Sequence, residues 1–246
     1  MKTTWQDFLV SSLMISLLLG GSGFLLTSFV TPLTSAWMPN YHVLIDGLVF
    51  LACYGLLSAL TLRLLLRVFP LRGGEFAMDE PAFAYWKLRN VLYRLGMGAL
   101  KPLTNDFSRP LVQSLFGAKM GRNVAVGGTI DDPYMVTVED GAVLGFGSMV
   151  SANVITSGKI LLAPVHIGKN ATIGAYAFVM AGARVGDGAV VMGGSMVGPG
   201  TVIAAGEIWR GNPARKWQAA VQRAPIGPSD SLKSNETMLV SGVALE

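Results

Sequence analysis

Ile167-Gly168-Lys169-Asn170-Ala171-Thr172, Ile173-Gly174-Ala175-Tyr176-Ala177-Phe178, Val179-Met180-Ala181-Gly182-Ala183-Arg184: this chain repeats itself every six residues. The large apolar position recurs at Val185, Val191, Val197, Ile203 and Trp209 without a miss. A smaller residue stands two places before each, at Ala171, Ala177, Ala183, Ala189, Ser195 and Thr201, with Glu207 alone out of type. Side chains along a strand alternate faces, so residues two apart point the same way. Each unit therefore sends one small and one large side chain inward and then turns a corner. Gly lies at or near the corner, where it allows backbone conformations that other residues resist. A helical stripe recurs at three and four, not six. A fixed short period marks a solenoid, and six residues is the period of a β-helix.

The same pattern begins upstream, at Met120-Gly121, Val126-Gly127, Val138-Glu139, Leu144-Gly145 and Val150. Asp132-Pro133-Tyr134 interrupts it, which predicts a local bend. Val150 and Ile167 are not separated by a multiple of six, so the register slips between them. Ser151 to Pro164 must therefore contain a loop that leaves the coil, with Thr156-Ser157-Gly158-Lys159 as its tip. Loops that leave a rigid scaffold collect binding residues. Leu111 to Lys119 reads as a last helical turn or cap below the coil.

The N-terminal part is of another kind. Phe8 to Val30 is apolar and uncharged, long enough to cross a bilayer as a helix. A signal peptide is the alternative, with Lys2 as its basic start, but Ser35-Ala36 is a poor cleavage site and a second span follows at once. The uncharged loop Thr31 to Tyr41 carries Trp37 and Tyr41, residues suited to a membrane–water interface. The second span runs from about His42 to Leu66, with Asp46 near its start and Arg63 near its end. Ionisable groups in a span are functional candidates; here both are placed to reach head groups instead. Arg63, Arg67 and Arg72 follow the second span, and the loop between spans has no base. The positive-inside rule then puts both termini and the coil in the cytoplasm. Gly73-Gly74 opens a connector. Asp79-Glu80-Pro81 reads as a helix start. Phe83 to Leu100, aromatic-rich with Lys87, Arg89 and Arg94, either lies on the membrane surface or packs on the end of the coil with its bases facing water.

The expected architecture is mainly β: a parallel β-helix preceded by two transmembrane helices and a connecting helix. The parts are 1–72 as anchor, 73–119 as connector and interfacial or capping helix, 120–215 as β-helix, and 216–246 as a short helix and flexible tail. Composition narrows the function. Apolar residues make up 51% of the chain and charged ones 14%, low in charge for a protein that is soluble throughout. The net charge of +4 is not gathered into a Lys/Arg block, so nothing points to nucleic acid. The lone Cys53 excludes an internal disulfide framework or a cysteine metal cluster. With two histidines, His42 and His166, a three-His zinc site cannot be built within one chain.

The six-residue runs, closed by Glu207-Ile208-Trp209-Arg210-Gly211-Asn212-Pro213-Ala214-Arg215, resemble the hexapeptide-repeat acyltransferases. The resemblance covers about residues 110 to 220. The repeat alone also fits carbonic anhydrase-like and nucleotidyltransferase-linked relatives, while Gly211-Asn212-Pro213-Ala214 is more typical of the acetyltransferase branch. It implies a left-handed triangular prism, a homotrimer, and acetyl-CoA as acyl donor in the clefts between subunits, with no metal. The base of that family is usually a histidine before the long loop, in a Ser-x-His pattern, with a Pro-Val-x-Ile-Gly return. Here the return is Pro164-Val165-His166-Ile167-Gly168, and the pattern reads Ser151-Ala152-Asn153. Asn153 can orient or donate but cannot serve as a base.

His166 is the one histidine on the expected prism. It precedes an inward residue, so alternation turns it outward, and imidazole changes protonation near neutrality. It is therefore either the base or an ordinary surface residue, with Asp131, Asp132, Glu139 and Asp140 as acids to orient or replace it. Gly174, Ala175, Ala181, Gly182, Gly193 and Gly194 offer small surfaces along which a pantetheine chain can approach the backbone. Lys169, Arg184, Arg210 and Arg215 are the bases able to meet CoA phosphates, or else form a solvated edge. The expected activity is acetyl transfer to a hydroxyl or amino group of a sugar, a lipid-linked acceptor or another envelope precursor. The rival is a non-catalytic trimeric membrane scaffold, for which Asn153 in place of histidine speaks.

Overall fold

The structure is a computed structural model and describes residues 5–217. Its C-terminal half is a β-helix of about five turns. Three parallel sheets form its faces. One face stacks Lys119–Met120, Val136–Val138, Val165–Ile167, Arg184–Val185 and Val202–Ile203. The second includes Ala125–Val126, Val143–Leu144, Thr172–Ile173, Val190–Val191 and Ile208–Arg210. The third stacks Thr129–Asp131, Met149–Ser151, Phe178–Val179 and Met196–Val197.

The inward positions are those the period names. Ile167, Ile173, Val179, Val185, Val191 and Val197 are fully buried, as are Ala171, Ala177, Ala183 and Ala189 between them. Each buried Val or Ile contributes about 1.5–3 kcal/mol of transfer free energy. Glycine serves the coil in two separate columns. A Cβ on Gly174 would lie 2.4 Å from the Gly193 nitrogen of the next turn, so this column lets successive turns touch. A Cβ on Gly188 would meet nothing, but Gly188 has φ +63° and belongs to the corner column that requires left-handed backbone. Asn170 (φ +52°) and Tyr176 (φ +57°) occupy that same column.

The register slip is an arm. Asn153–Thr156 and Lys159–Leu162 form an antiparallel hairpin around Ser157-Gly158, whose φ values of +48° and +77° suit a two-residue hairpin turn. Gly74–Ala77, expected only as connector, adds a third strand to it, with Glu75 and Lys159 paired at 2.8 Å. The expected bend at Asp132 is a left-handed residue (φ +53°) followed by a 3-10 turn, Pro133–Met135.

Helix α1 (Trp5–Leu25) continues through a π-helical turn, Leu26–Val30, into α2 (Thr31–Trp37). The expected loop at Thr31 is thus helical, and the wide turn precedes Pro32, whose ring would clash in a regular helix. Helix α3 (His42–Val68) returns beside it. Both are long and apolar enough to cross a membrane. Asp46 does not reach outward as expected, while Arg63 is exposed but tied to backbone. The Asp46 carboxylate is buried and accepts hydrogen bonds from the Thr34 (2.6 Å) and Thr31 (3.0 Å) hydroxyls. Arg63 donates to the Leu115 and Ser114 carbonyls at the end of α5 (Arg109–Leu115).

Helix α4 (Pro81–Leu100) starts where Asp79-Glu80-Pro81 places it. It packs on α1 and α3 on one side and on the first turns of the coil on the other. Gly55 and Gly96 make the helix contact possible: a Cβ on either would fall 2.3 Å from Leu100 Cγ or 2.6 Å from Ser58 Cβ. The packed alternative therefore describes α4, but two of its bases do not face water. Lys87 pairs with Asp7 at 2.5 Å and Arg89 is wholly buried. Lys216, expected to begin a helix, lies in a strand, Arg215–Lys216, paired back on Ile208–Arg210. The rest of the expected C-terminal helix and tail lies outside the described residues.

Candidate functional site

His166 lies on the first face, where strand register lines up Lys119, Thr137, His166, Arg184 and Val202 as one outward column. Its Nε2 is 3.2 Å from Glu139 Oε1, and both side chains are open to water, 42% and 32% exposed. Glu139 sits one residue past its strand, at the corner, which lets it reach sideways to the histidine of the next turn. Of the four acids named as orienting candidates, Glu139 takes that place. Asp140 instead accepts the Arg122 backbone N–H at 2.7 Å and stiffens the corner. A shallow depression of about 330 Å³ adjoins Glu139, lined also by Lys119, Thr137 and Lys169 but not by His166. Donation of the Nε2 proton to Glu139 leaves Nδ1 with a free lone pair, the arrangement a general base needs.

Asp131 and Asp132 belong to a different corner, under α4. The Asp132 carboxylate is buried and accepts the Trp86 indole N–H (3.0 Å), the Tyr134 hydroxyl (2.7 Å) and the Asn153 amide (2.5 Å). The Arg89 guanidinium lies 3.9 Å over the Tyr134 ring and 5.1 Å over that of Tyr85, with no hydrogen-bond acceptor among the described residues. Burial pulls its pKa down, and Tyr134, Tyr85 and Asp132 oppose that pull. Burial likewise pushes the Tyr134 hydroxyl up, helped by Asp132. Next to this cluster, burial raises the Asp131 carboxyl against the opposing charge of Arg94, 3.4 Å away. Asn153, at the root of the arm, has its amide committed to Asp132, whereas His166 is paired with Glu139. No spacing rule ties residues 86 and 89 to residue 132, so sequence reading missed Trp86, Arg89 and Tyr134 as its partners. The only available signal was an arginine in the middle of an aromatic helix.

The residues proposed for CoA fall into separate groups. Arg184 stands directly beside His166 in the outward column. Gly174, Ala175 and Gly193 share a corner between the second and third faces, with Gly194 N–H donating to the Ala175 carbonyl. Ala181 and Gly182 lie at the third-to-first corner, where Gly182 N–H bonds the Ala163 carbonyl behind the arm. Arg210 and Arg215 face each other across the closing strand pair. Lys169 lies by the His166 corner, its N–H bonded to Asp187. One prism does not gather these groups into a single site.

Comparison with known proteins agrees with this coil. The model of the family "Bacterial transferase hexapeptide (six repeats)" matches residues 164–199. The delta-poly-L-ornithine synthetase of Acinetobacter baumannii is 30% identical over 101 residues, 41% of this chain and 8% of that protein. The chain thus spans a small fraction of that relative's length. Among solved structures, a galactoside acetyltransferase in complex with coenzyme A is 19% identical with a TM-score of 0.43, over 64% of this chain and 90% of the other. A hexapeptide-repeat acetyltransferase from Vibrio cholerae, complexed with acetyl coenzyme A, is 17% identical with a TM-score of 0.39, over 42% and 60%. Residues 164–199 of the coil are thus similar to the bacterial transferase hexapeptide family, and the coil itself is a β-helix of six-residue repeats.

Proposed function

We propose that the chain is a membrane-anchored acyltransferase that moves an acetyl group from acetyl-CoA to a hydroxyl or amino group of a sugar, lipid-linked or envelope acceptor, working as a homotrimer. The observation that carries this reading is the His166–Glu139 pair, open to water, with His166 on the first strand of the segment that the transferase family model matches. In the reaction, the acceptor O–H or N–H gives its proton to His166 Nδ1 as its heteroatom bonds to the thioester carbonyl carbon. The C–S bond then breaks, and the imidazolium returns the proton to the departing thiolate. Glu139 holds the ring and balances its charge, and Arg184 beside it is placed to meet a negatively charged group. Gly174, Ala175, Ala181, Gly182, Gly193, Arg210 and Arg215 meet the donor from separate edges, which suits a cleft completed by a second copy. Helices α1 and α3 span the bilayer and hold the coil on the cytoplasmic side.

The test is release of free CoA thiol from acetyl-CoA by the detergent-purified chain. His166→Ala is expected to lower turnover by about 10²–10⁴-fold, the usual worth of a general base. Unchanged turnover in that variant removes His166 from the mechanism. A scaffold reading is favoured by one observation, the Asn153 amide bound to Asp132 where the family carries histidine. Acetyl-CoA binding without turnover, restored by Asn153→His, identifies a catalytically decayed relative. No binding at millimolar acetyl-CoA rejects the donor.

A further inference from the structure

A second cavity lies between α4, α5 and the corner of the first two turns, with a volume of about 530 Å³. Three cations line it, Arg94, Lys101 and Arg109, against one acid, Asp131. Arg109 is paired with Asp106 and Arg94 loosely with Asp131, while Lys101 has no ion-pair partner among the described residues. The opposite wall carries Phe146 and Met149.

One feature of the cavity has no explanation in the packing of the chain. Gly98 lines it, in the last turns of α4, where glycine is the poorest helix former after proline. Gly96 is required by its contact with Ser58, but a Cβ on Gly98 would meet nothing within 4 Å. Gly98 keeps the cavity open.

The cations alternate along the chain with exposed apolar side chains. Leu95 follows Arg94, Leu103 lies just past Lys101, and Phe107 and Leu111 flank Arg109; Phe107 is 82% exposed. Apolar residues interleaved with bases mark a segment that sits at the level of lipid head groups. The apolar helices α1 and α3 pack along the same α4.

We infer that this cavity binds the phosphate head group of an anionic lipid taken from the leaflet beside α4. The inference rests on the reading of α1 and α3 as membrane spans. It does not depend on the acetyl-transfer chemistry.

The test uses the full chain reconstituted in phosphatidylcholine vesicles with spin-labelled phosphatidylglycerol or spin-labelled phosphatidylcholine. The motionally restricted fraction measured by electron paramagnetic resonance is expected to favour phosphatidylglycerol by roughly threefold or more, as a few basic groups at the surface would give. Gly98→Leu should abolish the preference by filling the cavity, while the thermal midpoint holds or rises because leucine is the better helix former. Lys101→Ala should weaken the preference without filling anything, and so covers the case in which Gly98→Leu misfolds. Equal restriction of the two lipids overturns the proposal. So does a preference that neither variant changes, which would place selectivity elsewhere. Loss of the preference to millimolar glycerol 3-phosphate would assign the cavity to a soluble phosphate compound instead. A chain that fails to float with pure phosphatidylcholine vesicles defeats the membrane reading, and the lipid proposal with it. Flotation without lipid preference defeats the lipid proposal alone.

Discussion

The turns after the arm and the turns before it are built on one repeat but hold together differently. From Val165 onward every inward side chain is apolar or small up to Ile203. Before the arm, the corner at Asp131-Asp132 carries buried charge, and α4 covers it with Trp86, Arg89 and Tyr93. The later turns are stabilised by burial, which is non-directional and spread over many residues. The earlier corner depends on a few directional contacts around one carboxylate. Failure should therefore be gradual and local in the later turns and abrupt at the α4 corner.

Asp132→Ala should give the largest loss. It removes one acceptor from Trp86, Tyr134 and Asn153 together and leaves Arg89 buried without a counter-charge. Breaking one side of a buried charge arrangement costs about 3–5 kcal/mol. Denaturant unfolding should show it, and limited proteolysis should open the arm and the α4 connections before the later turns. Arg89→Met combined with Asp132→Asn should recover a large part of that loss, because neither position then buries a charge. An Asp132→Ala chain as stable as the parent would end the distinction between the two regions.

The two glycine columns sharpen the same contrast at smaller magnitude. Gly174→Ala drives a Cβ to 2.4 Å from backbone that cannot turn aside, an overpacking expected to cost about 1–3 kcal/mol. Gly188→Ala meets no atom and forces alanine into left-handed backbone, for about 1–2 kcal/mol. Unfolding of each variant against the parent should rank them in that order. The reverse order would mean that corner conformation, not contact between turns, limits the coil.

What could be read in the sequence follows from the same division. The period at Ile167 to Trp209 fixes which side chains point inward, because strand alternation and a constant corner leave a single phase. The slip between Val150 and Ile167 likewise located the arm and its tip at Ser157-Gly158. The partner strand Gly74–Ala77 stayed hidden, since four residues after a Gly pair carry no periodic signal and the pairing is long-range. Asp132 looked like a turn former, and it is one. Its second role depends on Trp86 and Arg89, brought beside it by the docking of α4. His166 was legible as outward from its neighbour Ile167. That Glu139 rather than Asp140 would meet it depends on a corner geometry that two adjacent acids in a sequence do not reveal.

Glu207, the one residue out of type in the inward small column, gives the mildest test and concerns the top of the coil. Among the described residues no further turn stacks above it, and its carboxylate is held by polar partners. It bonds the Lys216 ammonium (2.7 Å), the Trp209 indole N–H (2.9 Å) and the Ala204 N–H (3.1 Å). These contacts, Lys216 foremost, then Trp209 and Ala204, hold its carboxyl well below its ordinary 4.5, at about 2. A carboxyl lowered on folding stabilises the fold in full above its unfolded value, and the contribution disappears as pH falls toward the folded value. Glu207→Gln should therefore lower the thermal midpoint at pH 6, and the gap to the parent should close between about pH 4.5 and pH 2. A gap that persists at pH 2 would show that the glutamate acts by packing against Trp209. The end of the coil would then resemble its apolar middle rather than its charged first corner.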